Sequence, residues 1–354
     1  MDVEKLIRRS VAGMVPPTYP GPEPGVLRMD ANTNLIGRNP ALERATRRLS
    51  EIDFNQYPTC LSDDLRAALA REHGVAPDQI LVGDGSDEVL DVVFKAFCNP
   101  GETVAFPTPT FVMYDFFAKL HLASVVAVPL KLPGFGLDVD LLLRARPKLL
   151  FIASPNNPTG NAFPREELER LITESPGIVL LDEAYADFCG QDFAAQVDRY
   201  ENLIVSRTFS KSHGLAGLRV GYGLANRKVM EKLYCAKTPL TMNAFSEAVA
   251  LEALADKTFV RETITVVTRE RERLARLLEG LGFRPAKSDA NFMIVDLGVP
   301  SDPARAFLRG KAIVTRAMRD FKGLENFIRV TVGRPEHSDL LVTALKEWKA
   351  SCSR

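Results

Sequence analysis

Lys211 lies in Phe209-Ser210-Lys211-Ser212-His213, which runs on into Gly214-Leu215-Ala216-Gly217-Leu218-Arg219. Small and polar residues surround it, and neither a helical nor a strand period accounts for the stretch. A lysine held in such a setting can act as a nucleophile toward a carbonyl. Ser210 adds a hydroxyl and Arg219 a permanent positive charge, a pair suited to a phosphate. A lysine beside a phosphate clamp is what pyridoxal phosphate requires, one for its aldehyde and one for its phosphate. Read alone, the segment fits a surface loop with an ordinary Lys and Arg equally well.

Three further segments carry chemistry. In Leu180-Leu181-Asp182-Glu183-Ala184-Tyr185, the apolar run from Ile178 to Leu181 reads as a buried parallel strand. Asp182 then falls at its C-terminal end, where ligands bind in open α/β sheets. A carboxylate there could pair with a protonated pyridine nitrogen, although Asp also favours a helix N-cap. Ala153-Ser154-Pro155-Asn156-Asn157-Pro158-Thr159-Gly160 follows the apolar Leu149 to Ile152 and makes a rigid turn from which Asn157 could offer an amide to a ring oxygen. By itself this segment is a plain turn. Gly83-Asp84-Gly85-Ser86-Asp87-Glu88 joins a strand from Ile80 to Val82 to a helix from Val89 to Phe97, and such a junction aims free backbone N–H groups at an anion. It is a poor dinucleotide fingerprint, because Glu88 takes the third glycine position and no ribose-binding acid follows at the right distance.

In this order and spacing the segments resemble the fold-type I aminotransferases, and within them the histidinol-phosphate aminotransferase branch. The resemblance runs from Met29-Asp30-Ala31-Asn32 to Arg329-Val330-Thr331-Val332-Gly333, with Asn55-Gln56-Tyr57-Pro58 and Gly85-Ser86-Asp87-Glu88 pointing to the branch. It implies pyridoxal 5′-phosphate as cofactor, with Lys211 as Schiff-base lysine and proton shuttle and Asp182 on the pyridinium nitrogen. Asn157 and Tyr185 would bond the ring's 3′-oxygen, and Tyr114 would stack on the ring. Ser86, Asp87, Ser210 and Arg219 would hold the phosphate, joined by Tyr57 from the second subunit of a homodimer with shared sites. Arg329 would bind the substrate carboxylate, Arg316 would be a second substrate arginine, and Tyr19 in the N-terminal arm would add a hydroxyl and a lid. His213 would be a spacer beside the cofactor. The implied reaction is transamination between a small-molecule amino donor and a 2-oxo acid, with histidinol phosphate and 2-oxoglutarate/glutamate favoured. Aromatic amino acids are the alternative donor, because Leu240 stands where many relatives carry a tyrosine. Decarboxylation of a phosphorylated amino acid of the threonine phosphate type would use the same cofactor residues. A non-catalytic binding protein on the same fold would not need Lys211, Asp182 and Arg329 together.

Arg329 has support from the pattern alone. From Phe327 to Val332, Ile328, Val330 and Val332 face one way while Arg329 and Thr331 face the other. An arginine in mid-strand is costly unless paired. A carboxylate ligand would satisfy its fork, as would an internal Asp or Glu.

These residues must be positioned by alternating strands and helices. Candidate strands are 80–82, 103–106, 124–128, 149–153, 178–181, 203–206 and 220–224, with helices including 62–73 and 111–120. That alternation predicts an α/β fold: a mostly parallel sheet with helices on both faces, the fold-type I architecture. A smaller C-terminal α/β domain follows, with helices at 243–255, 259–279 and 338–351 and strands at 292–297, 312–315 and 327–332. The expected divisions are an N-terminal arm (1–30, rich in Pro and Gly), a large cofactor-binding domain (31–242) and a small domain (243–354). With 354 residues, 46% of them hydrophobic, the chain has ordinary globular composition, and 45 basic residues balance 45 acidic ones, which argues against nucleic acid as a partner. No run of apolar residues is long enough to predict a membrane span, and the N-terminus lacks the pattern of a secretion signal. Five scattered cysteines and four histidines predict reduced thiols, no metal centre and a cytoplasmic protein.

Overall fold

The computed structural model describes residues 1, 3–16 and 21–352. Its strands are β1 (Leu27–Arg28), β2 (Ile80–Asp84), β3 (Thr103–Thr108), β4 (Ser124–Pro129), β5 (Leu149–Ala153), β6 (Ile178–Asp182), β7 (Leu203–Thr208), β8 (Val220–Ala225), β9 (Arg284–Pro285), β10 (Phe292–Asp296), β11 (Ile313–Val314), β12 (Arg316–Ala317) and β13 (Phe327–Thr331). The helices are α1 (Ala41–Arg47), α2 (Asp63–His73), α3 (Gly85–Phe97), α4 (Val112–Leu120), α5 (Val139–Arg144), α6 (Arg165–Glu174), α7 (Arg227–Ala236), α8 (Ala244–Ala255), α9 (Thr258–Gly280), α10 (Ser301–Gly310) and α11 (Pro335–Cys352). No helix among the described residues is long and apolar enough to cross a membrane.

Seven strands form the larger sheet in the order β2-β8-β7-β6-β5-β3-β4. Pairing is parallel from β4 through β7, and β8 alone runs against the rest. The continuous apolar runs of β5, β6 and β7 suit strands covered on both faces, and every residue from Leu149 to Ala153 is buried. Strand β8 carries Gly221 and Gly223 on the face that meets α3. A Cβ on Gly221 would overlap the Gly85–Ser86 peptide, and one on Gly223 would press on Val89 Cγ1 at 2.9 Å. The missing side chains thus let α3 lie close to the sheet and bring its N-terminus to the strand ends.

The second sheet is antiparallel, in the order β12-β13-β10-β9. Leu274, Leu278, Ile328, Val330, Leu341 and Leu345 are fully buried beneath it with α9 and α11, each contributing about 2 kcal/mol relative to exposure. The expected strand at 312–315 is shorter, Ile313–Val314, and a second short strand follows it at Arg316–Ala317. Ala312 takes a left-handed φ of 58°, Ile313–Val314 pairs with β1, and Arg316–Ala317 pairs with β13. Helix α8 packs on α1 and α2, over the core of the larger sheet. Met29 and Ile36, from the segment between β1 and α1, are buried in the second core.

Candidate active site

Asp182 ends β6, and Lys211 follows the end of the neighbouring β7. The buried Asp182 carboxylate accepts from the Tyr114 hydroxyl at 2.9 Å and from the Ala184 amide at 3.1 Å. Burial pushes its pKa above the usual carboxylate range, against the pull of those two donors. No cation pairs with it among the described residues, so a protonated ring nitrogen would relieve a buried and uncompensated charge. The Lys211 amine lies 5.4 Å from the centre of the Tyr185 ring and donates to the Ala31 carbonyl at 3.5 Å. His213 stacks obliquely on Phe209 at 4.5 Å, and its Nδ1 lies 3.1 Å from Ser212 Oγ. Desolvation lowers its pKa.

An anion cradle forms where β2, β8 and α3 meet. The Gly85 amide is taken by the Arg219 carbonyl at 2.9 Å. Glu88 reaches back to the Asp84 amide at 2.6 Å, which leaves the amides of Ser86 and Asp87 as first-turn donors without a carbonyl one turn back. Arg219 holds φ at 53° and donates to Asp87 Oδ2 at 2.9 Å. A Cβ on Gly85 would fall inside its guanidinium. The hydroxyl of buried Ser210 lies 3.0 Å from Thr208 Oγ1. A lysine, a desolvated carboxylate at a strand end, and an anion cradle of helix amides with Arg219 together match the aldehyde, ring nitrogen and phosphate of pyridoxal phosphate.

Of the two asparagines in the 153–160 turn, Asn156 builds the turn through Thr110, Pro109 and Thr159, whereas Asn157 Oδ1 accepts from Arg329 Nη1 at 2.5 Å. Arg329 Nη2 also donates to the Asp30 carbonyl at 2.6 Å. Arg316 sits directly opposite Arg329 in the β12–β13 ladder, so the two cations share one face of the sheet. Arg316 is 54% exposed, and its link to Asp320 is a loose 3.9 Å. Tyr57 is 86% exposed on a surface segment with Phe54. Tyr19 lies outside the described residues.

Tyr114 corrects an expectation. It is 0% exposed, its face is stacked on Phe151 at 5.2 Å, and Phe111 meets it edge-on at 5.7 Å. It has no face left for a ligand ring, and its part is to bond Asp182. Phe111, only partly buried at the N-cap of α4, is the aromatic residue there with surface to offer. A signal for it exists in the chain: Phe111 follows the C-terminal end of β3, whereas a residue three positions into the helix turns back toward the sheet.

Several contributors lie beyond sequence reasoning. Asn34 Nδ2 bonds the carbonyls of Lys211 and Ser212 at 3.4 and 3.2 Å, and Asn39 bonds that of His213 at 2.8 Å. Behind the lysine, Arg207 forks onto Glu183 Oε2 at 2.7 and 3.0 Å and also meets Asp192 at 2.9 Å and Asp187 at 3.5 Å. Asp187 in turn accepts from the Ser212 hydroxyl. These three carboxylates hold the buried guanidinium's pKa above its ordinary value. Buried His73 hydrogen-bonds Tyr222 at 2.9 Å.

Residues 24–345 match the family model of aminotransferase class I and II. The chain is 39% identical to the histidinol-phosphate aminotransferase of Pyrococcus furiosus over 92% of this chain and 93% of that one. It is 35% identical to the enzyme of the same name from Thermoanaerobacter pseudethanolicus, over 98% and 99%. Among solved structures, the histidinol-phosphate aminotransferase of Sinorhizobium meliloti in complex with pyridoxal-5′-phosphate superposes with a TM-score of 0.85 at 28% identity, covering 92% of this chain and 91% of that one.

Proposed function

The chain belongs to the class I and II aminotransferases, and on that premise we propose that it transfers the amino group of histidinol phosphate to 2-oxoglutarate in histidine biosynthesis. The observation that carries the substrate is the cross-strand pair Arg316–Arg329. Two arginines side by side repel one another unless a dianion such as a phosphate lies between or beyond them.

Bound pyridoxal phosphate would supply an aldehyde that takes up the amino group and an electron-poor ring that accepts the electron pair left at Cα. The chain's own groups do the rest. Lys211 Nζ would hold the proton that leaves the substrate Cα. Asp182 keeps the ring nitrogen protonated. Asn157 and Tyr185 would hold the ring oxygen, and Phe111 would supply an apolar surface to the ring. The Ser86 and Asp87 amides, Ser210 and Arg219 hold the cofactor phosphate, while Arg329 and Arg316 hold the substrate anion. We further propose a homodimer in which exposed Tyr57 reaches the phosphate of the other subunit's site. Mixing Lys211→Ala with Tyr57→Phe subunits should then restore activity through hybrid sites, and an absence of complementation would remove the shared site.

The substrate is tested by half-reactions. The yellow protein should lose its visible absorbance on mixing with histidinol phosphate and regain it with 2-oxoglutarate. A response to phenylalanine alone would move the assignment to aromatic amino acids. Release of carbon dioxide from threonine phosphate would move it to decarboxylation.

A further inference from the structure

The segment between β1 and α1 crosses the site as a strap. The consecutive carbonyls of Asp30 and Ala31 accept from Arg329 and Lys211. The next residue, Asn32, is 1% exposed. Its N–H donates to Thr331 Oγ1 at 3.0 Å, its carbonyl accepts from Asn291 Nδ2 at 3.1 Å, and its φ of 54° is left-handed. Asparagine tolerates that conformation better than most residues. With the backbone so fixed, the side chain has one direction, and Nδ2 donates to the Tyr185 hydroxyl at 3.1 Å. The phenol makes no other hydrogen bond among the described residues, so no protein group takes its proton.

The orientation of the amide follows from the cost of the alternative. As placed, Asn32 Oδ1 and one of the two Nδ2 protons are left without a partner. Turned over, the amide would leave two N–H protons buried in that spot, and unmet buried donors are the rarer and costlier fault.

We propose that Asn32 is a positioning residue that fixes the polarity of the Tyr185 hydroxyl. By donating into the phenol oxygen, it leaves the phenol's proton for the ring oxygen of the cofactor. The inference rests on the cofactor reading above. The competing view is that Asn32 only fills and caps a buried hydroxyl.

The two views separate in a pH titration of the holoenzyme's visible absorbance. Asn32→Asp keeps the shape, but when ionised it offers only acceptors and would draw the phenol's proton to itself. The ring oxygen then loses a hydrogen bond that stabilises its negative charge. The absorbance midpoint should rise by on the order of one pH unit, the spread that local surroundings impose on groups in folded proteins. Tyr185→Phe should move it the same way. In the Tyr185→Phe background, Asn32→Asp should add less than half of its effect, with Lys211, Asp182 and Arg329 unchanged throughout. A wild-type midpoint in Asn32→Asp, or its full shift in the Phe background, overturns the proposal. If the Asp variant does not fold, Asn32→Ala decides: the dissociation constant for pyridoxal phosphate should rise several-fold with Tyr185 present and stay unchanged with Phe, and equal changes in both overturn it. A wild-type protein that shows no visible band with pyridoxal phosphate would instead sink the cofactor reading itself.

Discussion

The two halves of the site are held in different ways. On the cofactor side the groups are locked by buried or backbone contacts. Asp182 is fixed by Tyr114 and Ala184, and the backbone carbonyl of Arg219 accepts from the Gly85 amide at 2.9 Å. The loop bearing Lys211 is tied down by Asn34, Asn39 and the Arg207 network. On the substrate side the arginines rest on partners they can exchange. Arg329 leans on an amide oxygen and a carbonyl, and Arg316 reaches a solvent-exposed carboxylate at 3.9 Å. A cofactor that stays bound rewards preorganisation, whereas substrates that alternate in one pocket need donors that can let go.

That contrast can be broken by mutation. The largest effect should come from Lys211→Ala, with turnover down about ten-thousandfold, the top of the range for a positioned acid–base group, while the separate cradle still retains cofactor. Single-turnover kinetics and a bound-cofactor assay read both, and loss of cofactor in step with activity would mean that the cradle does not stand alone. Next, Asp182→Asn should keep cofactor and slow transfer at least about a hundredfold. A near-wild-type rate would leave Asp182 a structural acceptor only.

Acid probes the locked side from behind. Burial, helped by nearby Arg207, pushes the pKa of His73 down to about 4. Between its unfolded value near 6.5 and that point the unfolded chain binds the extra proton, so stability falls as pH drops through this window, by up to about 3 kcal/mol. Urea unfolding at pH 7 and pH 5 should show the decline, and His73→Gln should flatten it. The smallest effect falls on the exchangeable side. Arg316→Ala should cost about 1.5–3 kcal/mol in kcat/KM for histidinol phosphate and little for phenylalanine. Equal losses on both would remove Arg316 from substrate recognition.

Arg329 is legible from strand alternation, and so, for another reason, is most of the locked half. Its groups follow strand ends, and apolar runs bracketed by Gly, Pro and Asn mark strand ends in one dimension. Asp182, Asn157 and Ser210 therefore stand out in the sequence alone. Tyr114 misleads because an aromatic near a helix start is easily credited with the wrong side of the helix, three residues past Phe111. The contacts of Asn32, Asn34 and Arg207 are silent for another reason: their partners are remote in sequence. Asn32 meets Thr331 across 299 positions and Tyr185 across 153, and no local period records such a meeting. The change of partner at Thr315 is hidden as well, because the sequence suggests one strand at 312–315 and gives no sign that Ile313–Val314 and Arg316–Ala317 pair with different strands.

One feature of the larger sheet bears on how this site could change over time. Because β8 runs backwards, its first residue, and not its last, lies at the functional edge. The chain leaves β7, supplies Ser210 and Lys211, and re-enters the sheet at Arg219 without ever crossing to the far side. Nucleophile and phosphate anchor therefore travel on one short excursion of fixed contour length. Substitutions along its exposed stretch at Gly217 can drift freely, but a single inserted or deleted residue would put one anchor out of step with the other. Length polymorphism should be purged from this stretch even where side-chain variation is tolerated.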